Sequence, residues 1–211
     1  ANNNKVKFFQ IISRDLRGPF TGFLGISKII MDEGSKLNEA ELKELSSELH
    51  KSMENQYHLL ENLLEWSKIQ TGKYEVNIDN IDLFDVALNI VSGQNNHAAS
   101  KNIKIEIDVP RHTIVKADAE MLKSIVNNLV SNAIKFTGEG GLINITTEED
   151  DKTITLSVKD NGIGIPESKQ EGIFKIETSY TRLGTQEERG TGLGLVVAKD
   201  MTKPLNGKIF F

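Results

Sequence analysis

Cysteine is absent from the 211 residues, so disulfides and thiolate metal sites are excluded outright. The histidines (His50, His58, His97 and His112) stand at no metal-ligand spacing. No apolar run approaches the roughly 20 residues that cross a bilayer as a helix, and the first residues carry no signal-peptide pattern. Positive charge is short as well. The 25 Lys and Arg against 30 Asp and Glu give a formal net charge of −5, which argues against a general nucleic-acid binder, because a phosphate backbone calls for a basic face. Internal repeats and low-complexity segments are missing too. What is there, 38% hydrophobic and 26% charged residues, describes a soluble globular chain of one large domain or two small ones.

The first part of the chain is patterned for helices. From Lys5 to about Asp32, Phe9, Ile12, Leu16, Phe20, Phe23 and Ile30 recur at helical spacing. Pro19 inside this pattern removes a backbone donor and predicts a kink. Gly34 and Asn38 supply a turn. Leu42, Leu45, Leu49, Met53, Leu60, Leu63 and Ile69 then mark a second helix that stops near Thr71-Gly72. Such a hairpin leaves an apolar stripe, which either pairs with a second copy as a four-helix bundle or packs on the chain's own second domain.

The remainder mixes strands and helices. A linker at 73–80 is expected to hold a short strand, Tyr74 to Ile78. Asp82 is a plausible N-cap for a helix through Val91. Ile103, Ile105, Ile107 and Val109 alternate as a strand closed by Pro110. A short strand from Thr113 to Lys116 follows, and Asp118 caps a long helix to Phe136. Strands are expected at 142–148 and 153–159 around the acidic turn Glu148 to Lys152. A polar stretch leads to Arg189, then a helix from about Thr191 to Met201 and a strand starting at Gly207, into which the end at Phe211 is expected to cut. This is an α+β sandwich of one sheet and one helical layer.

Three stretches carry chemistry. In Val158-Lys-Asp-Asn-Gly-Ile-Gly-Ile-Pro166 a strand ends at Asp160, and Gly162 and Gly164 bare the backbone beside it. A carboxylate there is suited to accept hydrogen bonds from a purine amino group. On the helix from Asp118, the stripe Leu122, Ile125, Leu129 and Ala133 is expected to face the sheet. Asn128, Asn132 and Lys135 share the adjacent face, where amide oxygens and an ammonium can hold hydrated magnesium and a phosphate chain, or simply decorate a solvated surface. Gly190-Thr-Gly-Leu-Gly-Leu195 is a glycine turn running into a helix N-terminus, which offers N–H groups to phosphate or serves as a hinge. It matches neither a Rossmann fingerprint nor a P-loop.

In this order and at these separations, the three stretches resemble the catalytic core of a sensor histidine kinase of the two-component type. The resemblance covers Phe9 to Gly207. It implies a helical dimerisation and phosphoacceptor hairpin over 1–72, a linker over 73–80 and an ATP-binding domain of the Bergerat (GHKL) type over 81–211, truncated at its C-terminus. Asn128 to Phe136 resembles the family's asparagine box, with Asn132 as the magnesium ligand and Asn128 and Lys135 near the phosphates. Asp160 would meet the adenine amino group, with Gly162, Gly164 and Ile165 beside the ring. Phe174 resembles the phenylalanine box. Gly190, Thr191, Gly192, Leu193, Gly194 and Leu195 resemble the second glycine box, and residues 166–190 the mobile ATP lid, with Arg182 as a phosphate contact. ATP and Mg2+ are the implied cofactors. A second copy and a response-regulator receiver domain are the implied partners, in the cytosolic portion of a bacterial sensor whose membrane association resides in other parts of the full-length protein. ATP-hydrolysing relatives carry a glutamate at the place of Asn128. An amide cannot take a proton, which favours phosphoryl transfer over hydrolysis.

The resemblance breaks at one residue. The stretch Phe9-Gln-Ile-Ile-Ser-Arg-Asp-Leu-Arg-Gly-Pro19 matches the acceptor box, with Arg14 where histidine is expected. An imidazole is mostly neutral at pH 7, whereas a guanidinium leaves on the order of one molecule in a million neutral. Arg14 therefore should not accept phosphate, and Asp15, the implied general base, has nothing to activate. Gly18 stands where phosphatase-competent relatives carry Thr or Asn. The sequence thus predicts a protein-histidine kinase by family that is inactive in self-phosphorylation. The alternative is a non-catalytic, ATP-binding pseudokinase scaffold, and a serine kinase of the same superfamily fits less well.

Overall fold

A computed structural model describes residues 2–71, 74–175, 182–188, 190 and 192–211, with the side chains of the first helix described from Gly18 onward. Contacts divide the chain into two compact units, Ala1–Ser67 and Lys68–Phe211.

The first unit is helical. Helix α1, Asn2–Glu33, continues through Pro19, whose missing N–H leaves the Asp15 carbonyl without its helical donor. Helix α2 spans Glu39–Gln70. Its start is a reciprocal capping box: Asn38 Oδ1 accepts from the Glu41 N–H and Glu41 Oε2 from the Asn38 N–H, both at 2.9 Å. Phe20, Leu24, Met31, Met53, Tyr57, Leu60 and Leu64 all stand exposed on these helices.

The second unit is a mixed α/β layer structure. Strand β1, Asp79–Asp82, pairs antiparallel with β3, Ile114–Ala117. Strand β2, Lys104–Asp108, runs parallel to β4, Leu142–Glu149, and β5, Ile154–Asp160, closes antiparallel on β4. Helices α3, Leu83–Ser100, and α4, Ala119–Phe136, back the sheet. The core joins Leu83, Val86 and Ala87 of α3 to Val126, Val130, Ala133 and Ile134 of α4 and to the fully buried Ile143 and Ile145 of β4. Short helix α5, Glu167–Gln170, and α6, Gly194–Thr202, complete the unit, and α6 packs on α4.

Several expectations are corrected. The linker strand falls at Asp79–Asp82 instead of Tyr74–Ile78, because the Tyr74 hydroxyl and the Asn77 N–H bond the Asp118 carboxylate (2.9 Å each) instead of a ladder. Helix α3 reaches Ser100, past Val91, since Ala98 is buried in the core and holds the weak helix formers before it in register. The core stripe of α4 is rotated from the expected one: Val126, Val130 and Ile134 join Ala133, while Leu129 is only half-buried and outside the core cluster. The helix is covered on two sides, by the sheet and by α6, so no single stripe describes it. Helix α6 begins at Gly194. Residues from Gly207 onward form no strand. The Gly207 N–H closes a turn on the Thr202 carbonyl at 2.9 Å.

Candidate nucleotide site

Both ends of α4 are anchored. At its N-terminus Asp118, 4% exposed, accepts the N–H groups of Glu120 and Met121 (3.1 Å each) in addition to the Tyr74 hydroxyl and the Asn77 N–H. Burial alone would raise this carboxyl. The hydrogen bonds from Asn77, Met121, Tyr74 and Glu120 outweigh it and hold the group below the usual carboxylate range.

Between these ends, one face of α4 meets every glycine turn singled out by sequence. Asn128 donates through Nδ2 to the Ser124 carbonyl at 2.9 Å, which turns its Oδ1 toward Gly194; a Cβ on Gly194 would lie 2.5 Å from that oxygen. One on Gly190 would collide with Lys135 Nζ, and one on Gly162 with the Phe136 carbonyl oxygen. At Gly162 a side chain would meet the α4 backbone itself, whereas at Gly190 and Gly194 it would meet the ends of the Lys135 and Asn128 side chains, which would have to move. The turn after β5 is further tied by the Ile163 N–H to the Phe136 carbonyl at 3.1 Å, while Asp160 accepts the Gly162 N–H at 2.9 Å. Gly164 at φ +61° and Gly192 at φ +69° adopt the left-handed region.

The structure thus brings Asn128, Lys135, Phe136, Asp160, Gly162, Gly190 and Gly194 to one face of α4. Asp160 is exposed at the end of β5. Helix α6 starts at the N-cap Leu193, which makes no side-chain cap hydrogen bond, and its first turn presents the positive end of the helix dipole. Leu193 is fully buried and Leu195 half-buried, so both serve packing. Ile165 stands partly exposed beside Gly164. Burial pulls the Lys135 ammonium below its ordinary pKa, with Glu188 offsetting part of the effect and the like charge of Lys101 adding to it.

Asn132 is half-buried, and its amide makes no hydrogen bond among the described residues. Its oxygen and Asn128 Oδ1 are neutral hard donors of the kind magnesium accepts while keeping waters, so the residues present fit the ion. No group of three or more His, Asp or Glu suited to a metal occurs among the described residues. Arg182 is exposed. Phe174 lies with its ring 6.3 Å from that of Phe211 and beneath Lys199 Nζ at 5.8 Å. A cavity of about 470 Å³ opens elsewhere, among Pro110 to Ile114, Thr147, Glu149 and Ile154, and includes no residue of this cluster. Thr191 and the side chains of Arg14 and Asp15 lie outside the described residues.

Sequence reasoning missed Lys101. It is 2% exposed, and its Nζ lies 3.0 Å from the Ile134 carbonyl, 3.1 Å from that of Lys135, 2.8 Å from Thr185 Oγ1 and 2.5 Å from Glu188 Oε1. No local pattern marks it, because these partners are at least 33 residues away.

A helix layer on a mixed sheet, with glycine turns and a terminal carboxylate along one helix, is the arrangement expected of a GHKL ATP-binding domain. Comparison with known proteins agrees. The family described as histidine kinase-, DNA gyrase B-, and HSP90-like ATPase matches residues 117–211, and the His Kinase A (phospho-acceptor) domain matches residues 4–72. Together the two matches support a histidine kinase core in this chain. Among curated relatives, the non-motile and phage-resistance protein of Caulobacter vibrioides is 32% identical over 209 residues, 95% of this chain and 24% of that protein. The chain spans less than half the length of the first curated relatives it matches. Among solved structures, the Acinetobacter baumannii histidine kinase AdeS aligns at TM-score 0.73 and 25% identity, covering 92% of this chain and 88% of that one. Histidine kinase ThkA, solved in complex with the response regulator protein TrrA, shares the fold at TM-score 0.62 and 23% identity, covering 84% of this chain and 51% of that one. Among the described residues, no helix is long and apolar enough to cross a membrane.

Proposed function

We propose that the chain is the Mg-ATP-binding kinase core of a two-component sensor, with self-phosphorylation at the usual position blocked by Arg14. Residues 1–72 are the dimerising, phosphoacceptor-type hairpin, 73–80 the linker and 81–211 the catalytic domain. The observation that carries the reading is the line of Gly162, Gly190 and Gly194 along α4, where each glycine lies against Phe136, Lys135 or Asn128. Asp160 and the backbone at Gly162, Gly164 and Ile165 receive the adenine. Lys135 and the turn Gly190 to Leu195, with Thr191, receive the phosphates. Asn132 holds magnesium, which when bound neutralises charge on the phosphates. Asn128 offers no base to activate water.

The exposed apolar residues of α1 and α2 suit a second copy of the hairpin. The ThkA complex supports a receiver domain as downstream partner, and the curated relatives support the cytosolic part of a membrane-associated sensor as the location. Arg14→His tests the reading: radiolabelled ATP should give acid-labile label on the Arg14→His chain and none on the parent, and clear labelling of the parent overturns it. Arg14 itself favours a second reading, a pseudokinase scaffold that binds ATP without transfer. A mixed dimer with a histidine-bearing partner separates the two, because label on the partner marks a kinase acting in trans and silence with nucleotide bound marks the scaffold.

A further inference from the structure

Lys101 occupies the C-cap of α3 with its ammonium out of water, where an unpartnered charge would be very costly. Its donors are shared in two directions. Toward α4 they reach the Ile134 and Lys135 carbonyls, at the negative end of that helix. Toward the 182–188 segment they reach Thr185 Oγ1 and Glu188. That segment is closed on itself: the Gly184 N–H meets the Glu188 carbonyl at 2.9 Å, the Gln186 N–H meets Glu188 Oε2 at 2.8 Å, and Glu187 sits at φ +61°. It is hung on α4 by the Thr185 N–H on the Lys135 carbonyl at 3.0 Å and by Thr185 Oγ1 on the Thr137 carbonyl at 2.7 Å. Two residues beyond Glu188 comes Gly190, which lies against Lys135 Nζ.

We propose that Lys101 and Glu188 are positioning residues for the nucleotide site, a buried clamp that fixes the 182–188 segment on the end of α4 and so seats Gly190 against Lys135. The clamp deepens the nucleotide reading above and rests on it. Neither residue needs to touch the nucleotide. The clamp ties the backbone of Lys135 and the entry to the glycine turn to one cation, so loosening it spreads the phosphate-binding groups without removing any of them.

Two measurements on the full chain test this. The first is amide hydrogen exchange without nucleotide. In a Lys101→Met/Glu188→Leu double variant, which leaves neither charge behind, the Thr185 N–H should exchange at least about tenfold faster, while the α4 amides from Leu122 to Val130 keep their protection. The second is titration with a fluorescent ATP analogue and magnesium. The same variant should bind about tenfold more weakly, and Lys101→Arg, which keeps the donors and the charge, should bind within about threefold of the parent. Unchanged protection at Thr185 overturns the clamp. Lost protection with unchanged affinity overturns its role in positioning. If the parent itself fails to bind the analogue, the nucleotide reading fails and takes the positioning role with it, while exchange at Thr185 still decides whether the clamp exists.

Discussion

The two ends of α4 meet the same electrostatic demand in different ways. At the N-terminus a buried carboxylate, Asp118, accepts four hydrogen bonds; at the C-terminus a buried ammonium, Lys101, caps the last carbonyls. Each charge has the sign that the helix dipole favours. The difference lies in origin. Asp118 is the helix's own N-cap, adjacent in sequence, and draws the linker residues Tyr74 and Asn77 to it. Lys101 arrives from the end of another helix and holds Thr185 and Glu188 across the turn. A cap built into the helix stabilises mainly the helix, whereas one borrowed from elsewhere couples separate segments.

Breaking the borrowed cap should therefore have the larger effect. Lys101→Met leaves Glu188 without its ion-pair partner and takes a donor from the Ile134 and Lys135 carbonyls. The expected loss is about 3–5 kcal/mol, or roughly 10 °C in Tm, read by thermal circular dichroism. Asp118→Ala removes an N-cap and the anchor of the linker, at about 2–3 kcal/mol in denaturant unfolding. Both carboxylates tie stability to pH in the same direction. For Glu188, burial acts upward, and the Lys101 hydrogen bond together with the backbone N–H groups carries it below its ordinary value. A carboxyl depressed in the folded state adds stability above its unfolded pKa of about 4 and loses it as pH falls through the folded value. Unfolding midpoints should hold above about pH 5 and drop below pH 4, and Asp118→Asn should flatten part of that slope. The smallest effect is expected for Tyr74→Phe, which takes one hydrogen bond from Asp118, at about 1 kcal/mol. A loss larger than that of Asp118→Ala would reverse the ranking and make the linker, not the cap, the main element at this end.

The same comparison explains what could be read in advance. Asp82 and Asp118 announce their helices because a cap and its N–H groups are neighbours in sequence. The strands at 104–108 and 142–149 were legible from alternation alone, because Ile103 to Val109 and Leu142 to Ile145 place every second residue toward the core. Asn128, Lys135 and the glycine turns stood out only together, because their order and separations resemble those of a histidine kinase core; each alone fits a solvated face or a hinge equally well. Lys101 did not, since Ser100-Lys101-Asn102 looks like any solvated helix end and its burial depends on residues 182–188 folding back. The displaced strand at 79–82 has the same origin: Tyr74 and Asn77 bond Asp118, an acceptor about forty positions downstream, in a pairing that no local pattern announces.

The parallel pairing of β2 with β4 carries a consequence for how the molecule is made. Lys104 can meet Leu142 only after the intervening β3 and α4 have folded over the sheet, a closure with a high entropic cost that sequence-local contacts do not share. Helices α1 and α2 need no such crossing and can form as soon as they are synthesised. The ATP-binding unit is therefore the slow step in maturation, and until β2 docks, the apolar faces of Ile143 and Ile145 stay open to wrong neighbours.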